Sequence, residues 1–284
     1  MRAVKTLFLL TALSILLVLG GEAIAGQQGM TFALMIAVVM NGVAYFFSDK
    51  IALRSSGAQP VTREQLPRLY EVMERLVAKA QLPMPKLYVI PQPAPNAFAT
   101  GRNPSHASVA VTAGLMELMN DDELEGVIAH ELSHVRNYDI LITSIAATLA
   151  GAITWIASMG RWAMIFGGYG NSRDNRNGGG LAALLMLIVA PIAALVIQLG
   201  ISRQREFAAD ASGARMVGHP YGLVSALEKL GAYNKRIPMD VPPATASLFI
   251  VAPLNAGQVF SGLFSTHPPL SERIAVLRNM TVTR

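Results

Sequence analysis

The sequence predicts a mainly α membrane protein, with about four transmembrane helices joined to an α+β polar domain that carries a small β-sheet. Three observations carry this expectation. Only 14% of the 284 residues are charged while 52% are hydrophobic, against about 25% charged in an ordinary soluble domain. Four long uncharged stretches approach the ~20 residues that cross a hydrocarbon core. Beside them lie two polar segments whose apolar residues recur at helix and strand periods. The 23 Lys and Arg against 18 Asp and Glu are too mild an excess to indicate nucleic acid; in a membrane protein such an excess reports loop orientation. The absence of cysteine excludes disulfides and thiolate metal sites.

Residues 1–48 read as N-terminal transmembrane helices. Thr6 to Gly21 is bounded by Lys5 and Glu22, and Met30 to Ser48 has only Asn41 as a strongly polar member. Arg2, Lys5 and Leu7 to Leu19, with Ala23-Ile24-Ala25 behind them, also fit a signal peptide. The second apolar segment follows so closely that a retained span is the favoured reading.

Residues 49–139 form the first polar part. Thr62 to Gln65 reads as a capping box, and Leu66, Leu69, Tyr70, Met73, Leu76 and Val77 then recur at helical spacing. Lys86 to Ile90 and Ala107 to Thr112 are expected strands. Pro91 to Pro104, between them, is too rich in proline for a helix. Asn120-Asp121-Asp122-Glu123 caps another helix, with its carboxylates at the positive end of the dipole.

Residues 140–200 read as a membrane hairpin of two segments, Ile140 to Gly160 and Leu181 to Gly200, whose depth the sequence leaves open. A flexible Gly- and Asn-rich loop, 168–180, joins them. Pro191 is tolerable inside such a span, and Trp162 and Tyr169 are expected interface anchors. Residues 201–284 supply the second polar part, with Pro220 in the first turn of a helix through Asn234 and a last helix over Pro269 to Asn279. Arg2, Lys5, Lys50, Arg54, Arg63, Arg136, Arg203 and Arg205 flank the spans on one side, with Arg173 and Arg176 the exceptions. The termini and polar segments are therefore expected in the cytoplasm.

The capped helix contains His130-Glu131-Leu132-Ser133-His134. Residues four apart share a helix face, with Cβ atoms about 5–6 Å apart, so two imidazoles converge on one Zn²⁺ at ~2.0–2.1 Å. Glu131 projects beside them, placed to accept a proton from a water that the ion activates. The bland alternative is a surface helix whose His and Glu are merely solvated. A catalytic zinc needs a third protein ligand and an open position. Glu206, in Ser202 to Asp210, is the candidate, because a membrane hairpin starts and ends on one side and returns Glu206 to the histidines. Its alternative is a helix-end salt bridge with nearby arginines. Asp210, one turn later, fits either a partner for a ligating imidazole or a solvent-facing aspartate. His267, in Thr266-His267-Pro268-Pro269, opens the last helix as a positioned donor or a cap neighbour. His106 and His219 are expected at the surface.

These motifs resemble the HtpX family of membrane metallopeptidases, relatives of the CAAX prenyl proteases. The likeness rests on Asn96-Ala97-Phe98-Ala99-Thr100-Gly101, on His130 to His134 with Asp139, on Ser202 to Asp210 and on Thr266 to Pro269. It implies a zincin-like (gluzincin) catalytic domain, one zinc per subunit held by His130, His134 and Glu206, and Glu131 as catalytic base. It also implies a stress-induced endopeptidase of the cell inner membrane, multi-pass, acting on damaged membrane proteins or unfolded polypeptides. Oxyanion donors would come from Arg203 or His267. Asn96, Ala97, Phe98 and Ala99 would form either an edge strand that pairs with substrate or an internal turn. A protease cutting within the bilayer is disfavoured by the charges around the motif. A prenyl-protein protease is disfavoured by too few spans, and a zinc-holding scaffold by the open coordination set.

Overall fold

The computed structural model describes residues 2–152, 203–234, 236–237, 239, 241–251, 253 and 267–282. Helix α1 (Arg2–Ser55) reverses direction at Gly26, whose φ is 59°, a left-handed conformation that glycine adopts without penalty. A Cβ on Gly21 would stand 2.4 Å from the Gly29 carbonyl oxygen, whereas eight residues of straight helix rise about 12 Å. Further along, Asn41 Nδ2 donates to Ser14 Oγ at 2.8 Å. The two N-terminal apolar stretches thus lie side by side.

Among the described residues, one helix, Gly26–Ser55, is long and apolar enough to cross a membrane. Helix α5 (Asp139–Ala152) is apolar but shorter, and its Ile145, Ala146 and Leu149 pack on Ala44. Of the four expected spans, the remainder of the third and all of the fourth lie outside the described residues. So do the 168–180 loop, Trp162, Tyr169 and Pro191.

Four strands, β1 (Gln59–Pro60), β2 (Lys86–Ile90), β3 (Ala97–Gly101) and β4 (Ala107–Thr112), form one sheet in the order β1-β2-β4-β3. Strands β2 and β4 are parallel and the other pairs antiparallel. The two expected strands therefore hold the centre. Residues 97–101, within the proline-rich stretch, form an edge strand and not an internal turn. Its alternation explains its burial on both faces: Ala97 and Ala99 join the main core, while Phe98 joins a second core with Ala52, Leu53 and Phe249.

Helix α2 (Pro67–Ala80) begins later than the capping box implied. The Gln65 side chain does accept from the Thr62 N–H, but Pro67 takes the first helical position, where its missing N–H costs nothing. A short helix α3 (Ala113–Leu118), capped by Thr112, was not expected, because six residues carry too little periodicity. In α4 (Asp121–Arg136) the Asn120 and Glu123 capping box is complete. Glu123 also accepts from Ser225 at 2.6 Å and Lys229 at 2.7 Å. Against its own burial, these donors hold its carboxyl below the usual range.

Helix α4 is buried along most of its length between the sheet and two later helices, α6 (Arg203–Val217) and α7 (Tyr221–Asn234). The α4–α7 crossing depends on paired glycines. A Cβ on Gly222 would lie 2.1 Å from the Asp122 carbonyl oxygen, and one on Gly126 2.5 Å from the Leu223 nitrogen. Gly222→Ala is therefore expected to push the helices apart and cost about 1–3 kcal/mol of stability, measured as a fall in thermal unfolding midpoint. An unchanged midpoint would show that the crossing has slack. Short α8 (Pro243–Ala246) and terminal α9 (Leu270–Arg278) close the domain.

Candidate active site

Burial of the apolar face of α4 turns His130 and Glu131 inward: they are 0% and 2% exposed. On α6 the same logic applies, with Glu206, Ala209, Asp210 and Gly213 facing α4. Gly213 permits the approach, since its Cβ would come 3.0 Å from the His130 nitrogen. Two helices remote in sequence thereby present their polar groups to one another.

His130 Nε2 and His134 Nε2 stand 3.2 Å apart. The Glu206 carboxylate lies 3.7 Å from the first and 3.5 Å from the second. One ligand atom from each of these residues falls within 4.8 Å of the others. Ligand atoms ~2.0–2.1 Å from a tetrahedral zinc stand about 3.3 Å apart, so the spacing fits an ion held among them. The donor set fits too: two imidazole nitrogens and one carboxylate are ligand types that zinc takes in a catalytic site.

Each imidazole is oriented through its other nitrogen. His130 Nδ1 donates to Asp210 Oδ1 at 2.8 Å, and His134 Nδ1 faces Asp139 Oδ2 at 3.3 Å. Such partners fix the tautomer that leaves Nε2 free to ligate. Asp210 is anchored by Arg273, whose Nε and Nη2 donate to its two oxygens at 2.8 and 2.7 Å. Arg273 is fully buried, also donates to the Ile250 carbonyl at 2.9 Å, and reaches to 3.8 Å from Glu206.

These charges set the protonation states. Burial opposes ionisation of Asp210, yet Arg273 and then His130 hold its pKa down to about 2. For Glu206 burial is again outweighed, by His267, His134 and Arg273, and its carboxyl sits well below the usual range. Burial is the decisive influence on Glu131 and pushes it up to about 7. The nearby Ala99 backbone opposes that rise, while Glu131 Oε1 is buried with no hydrogen-bond partner. It faces a cleft of about 20 Å³ bounded by Ala99, Thr143, Phe249 and His267, room for about one water.

The edge of β3 forms one wall. The Thr112 N–H donates to the Asn96 carbonyl, so the alternation of an antiparallel ladder turns the Ala97 and Ala99 backbone groups away from β4. The Ile250 N–H occupies Ala97 by donating to its carbonyl at 2.9 Å. Asn96 locks the same loop, donating from Nδ2 to the Val251 carbonyl at 2.8 Å. Phe98 faces the opposite side, against Phe249 at 5.0 Å.

The profile of Peptidase family M48 matches residues 63–281, which span this whole arrangement. The chain belongs to that family. This M48 peptidase is 57% identical to the Protease HtpX homolog of Desulfatibacillum aliphaticivorans, over 96% of its own length and 88% of the relative's. It is 50% identical to that of Pelotomaculum thermopropionicum, over 99% and 100%. It is 48% identical to that of Persephonella marina, over 99% and 98%. In three dimensions it resembles S. mikatae Ste24p with a TM-score of 0.53 at 21% identity. That match covers 97% of this chain and 65% of the other, and at this identity it speaks to the fold. The enzyme is a metalloprotease of HtpX type, and His130, His134 and Glu206 form a cluster with the spacing to hold a metal ion.

The structure brings Asp210 and His267 to the cluster, with His267 Nδ1 3.2 Å from Glu206 Oε2. Arg203 is exposed at the start of α6 and does not line the cleft. His106 is exposed, as expected, and His219 is half-buried beneath Tyr221. Sequence reasoning missed Arg273. Its signal was present: Leu270, Arg273, Ile274 and Leu277 follow the i, i+3, i+4, i+7 pattern of a buried helix face, with an arginine in an apolar slot.

Proposed function

We propose that the chain is a zinc-dependent endopeptidase that cuts membrane-protein or unfolded polypeptide substrates in quality control. One observation carries this reading: two imidazoles and a carboxylate converge beside Glu131, against the outward-facing backbone of β3. His130, His134 and Glu206 would hold one Zn²⁺, which supplies Lewis acidity to water and to the scissile carbonyl. Glu131, with burial holding its pKa near 7, accepts a proton from the attacking water and passes it to the leaving amine. Ala99 offers its carbonyl to an extended substrate backbone. Between the two oxyanion candidates, the cleft position of His267 favours it over exposed Arg203.

The same reading places the active site at the cytoplasmic face of a multi-pass inner-membrane protein. Residues 1–48 and 140–200 would lie in the membrane, and 49–139 with 201–284 would form the catalytic domain. Support comes from α5, which starts at the cluster with Asp139 and, two turns on, packs against Ala44 of the membrane helix. The positive flanks of the spans favour the cytoplasmic side.

Chelation tests the metal requirement. Purified protein in detergent is expected to carry about one zinc per chain, to lose casein cleavage on chelation and to regain it with zinc. Glu206→Ala is expected to lower the bound zinc in the same assay. Cleavage indifferent to chelator, or full zinc content without Glu206, would defeat the assignment.

A further inference from the structure

The membrane end of the sheet carries a second cavity of about 560 Å³, which shares no lining residue with the cleft at the cluster. Topology assembles it. Parallel β2 and β4 begin at the same sheet end at which antiparallel β3 finishes. Lys86 at the start of β2, Arg102 just after β3 and His106 just before β4 are thereby gathered together. The sheet packs on Ala52 and Leu53 of α1, which brings this end down beside Tyr45 to Lys50.

Two chemistries meet there. Below, α1 exposes a run of large apolar side chains, Phe32, Leu34, Met35, Val38 and Val39 among them, ending in Tyr45, Phe46 and Phe47. Above, Lys50, Lys86 and Arg102 line the cavity with one carboxylate, Asp49. None of the three cations stands in an ion pair among the described residues, and Lys50 lies 5.4 Å over the Phe47 ring. Aromatic rings at the end of an apolar helix, capped by cations, mark the boundary between acyl chains and headgroups. A polypeptide partner would need the cations but not the lipid-facing helix that continues the cavity wall.

We infer that this cavity binds the phosphate headgroup of an anionic phospholipid, with Lys86 and Arg102 on the phosphate and Tyr45 to Phe47 on the glycerol and upper acyl chains. The inference rests on the reading of Gly26–Ser55 as a membrane span. It adds a lipid site that would seat the catalytic cleft at a fixed height over an anionic bilayer.

The test uses full-length protein in nanodiscs of phosphatidylcholine with phosphatidylglycerol, followed by mass analysis of the lipid retained on gentle release. Wild type is expected to retain phosphatidylglycerol selectively. At about fivefold per cation near a membrane surface, Lys86→Gln/Arg102→Gln is expected to lower the preference roughly 25-fold. Its chelator-sensitive proteolysis in detergent should be kept, as the check on folding. Arg75→Gln/Lys79→Gln, which removes the same charge from α2, is expected to leave the preference unchanged. Phe47→Ser should weaken retention with all cations in place. Equal losses in both double variants would reduce the effect to overall charge and overturn the proposal. Displacement of the lipid by an acidic peptide, with the Lys86 and Arg102 variant still selecting phosphatidylglycerol, would assign the cavity to a polypeptide and overturn it too. A chain that never enters the nanodisc refutes the span itself, a result distinct from insertion without lipid preference.

Discussion

Purified Glu131→Gln protein is expected to keep its metal and lose about two to four orders of magnitude in peptide cleavage, the range for removal of a general acid–base group. The reasoning is geometric. Glu131 shares α4 with both histidines but lines the cleft, and among the described residues it forms no ion pair with Arg273, which is paired to Asp210. Glutamine keeps the size and one acceptor oxygen while giving up the proton affinity. Single-turnover cleavage of a fluorogenic peptide, with zinc measured on the same sample, separates the two properties. Undiminished turnover would remove Glu131 from the chemistry; parallel loss of zinc would show that it supports the cluster.

The largest effect on stability is expected at Arg273. Arg273→Met fits the apolar slot on α9 but leaves Asp210, 1% exposed, as a buried carboxylate without its main counter-charge. Breaking such a pair costs about 3–5 kcal/mol. Asp210 would then rise from its depressed pKa or swing away from His130, so lower zinc affinity should accompany the loss of thermal stability. The double variant Asp210→Leu/Arg273→Met removes both charges and is expected to recover part of the stability while leaving zinc affinity low, because His130 stays unoriented. If the double variant were less stable than Arg273→Met alone, the pair would matter through packing and not through charge.

The ease with which parts of this site could be read differs for physical reasons. His130, Glu131 and His134 lie within one helical turn and a half, where spacing alone fixes proximity. Glu206 is far along the chain, and the expectation that it returns to the histidines came from the hydrocarbon boundary between them. Asp210 and His267 were ambiguous because a lone carboxylate or imidazole at a helix end looks the same whether it meets solvent or a buried partner. Arg273 was invisible for a sharper reason. Burying a guanidinium is costly unless anions surround it, and the anions that surround it come from α6, with a carbonyl from the loop beyond α8.

The backbone divides along similar lines. Strands β2 and β4 announced themselves by composition, and α4 by its cap. Strand β3 did not, because an alanine-rich pentapeptide among prolines has weak intrinsic preference, and its pairing with β4 decides its state. The residue pattern determined which stretches are apolar and which helix carries the histidine pair. Gly26's reversal, the glycine contacts between α4 and α7, the open edge at Ala99 and the Arg273 anchor are products of long-range packing. Local periodicity reports on neighbours one turn or one pleat away, whereas those features depend on backbone and charge that approach from distant parts of the chain.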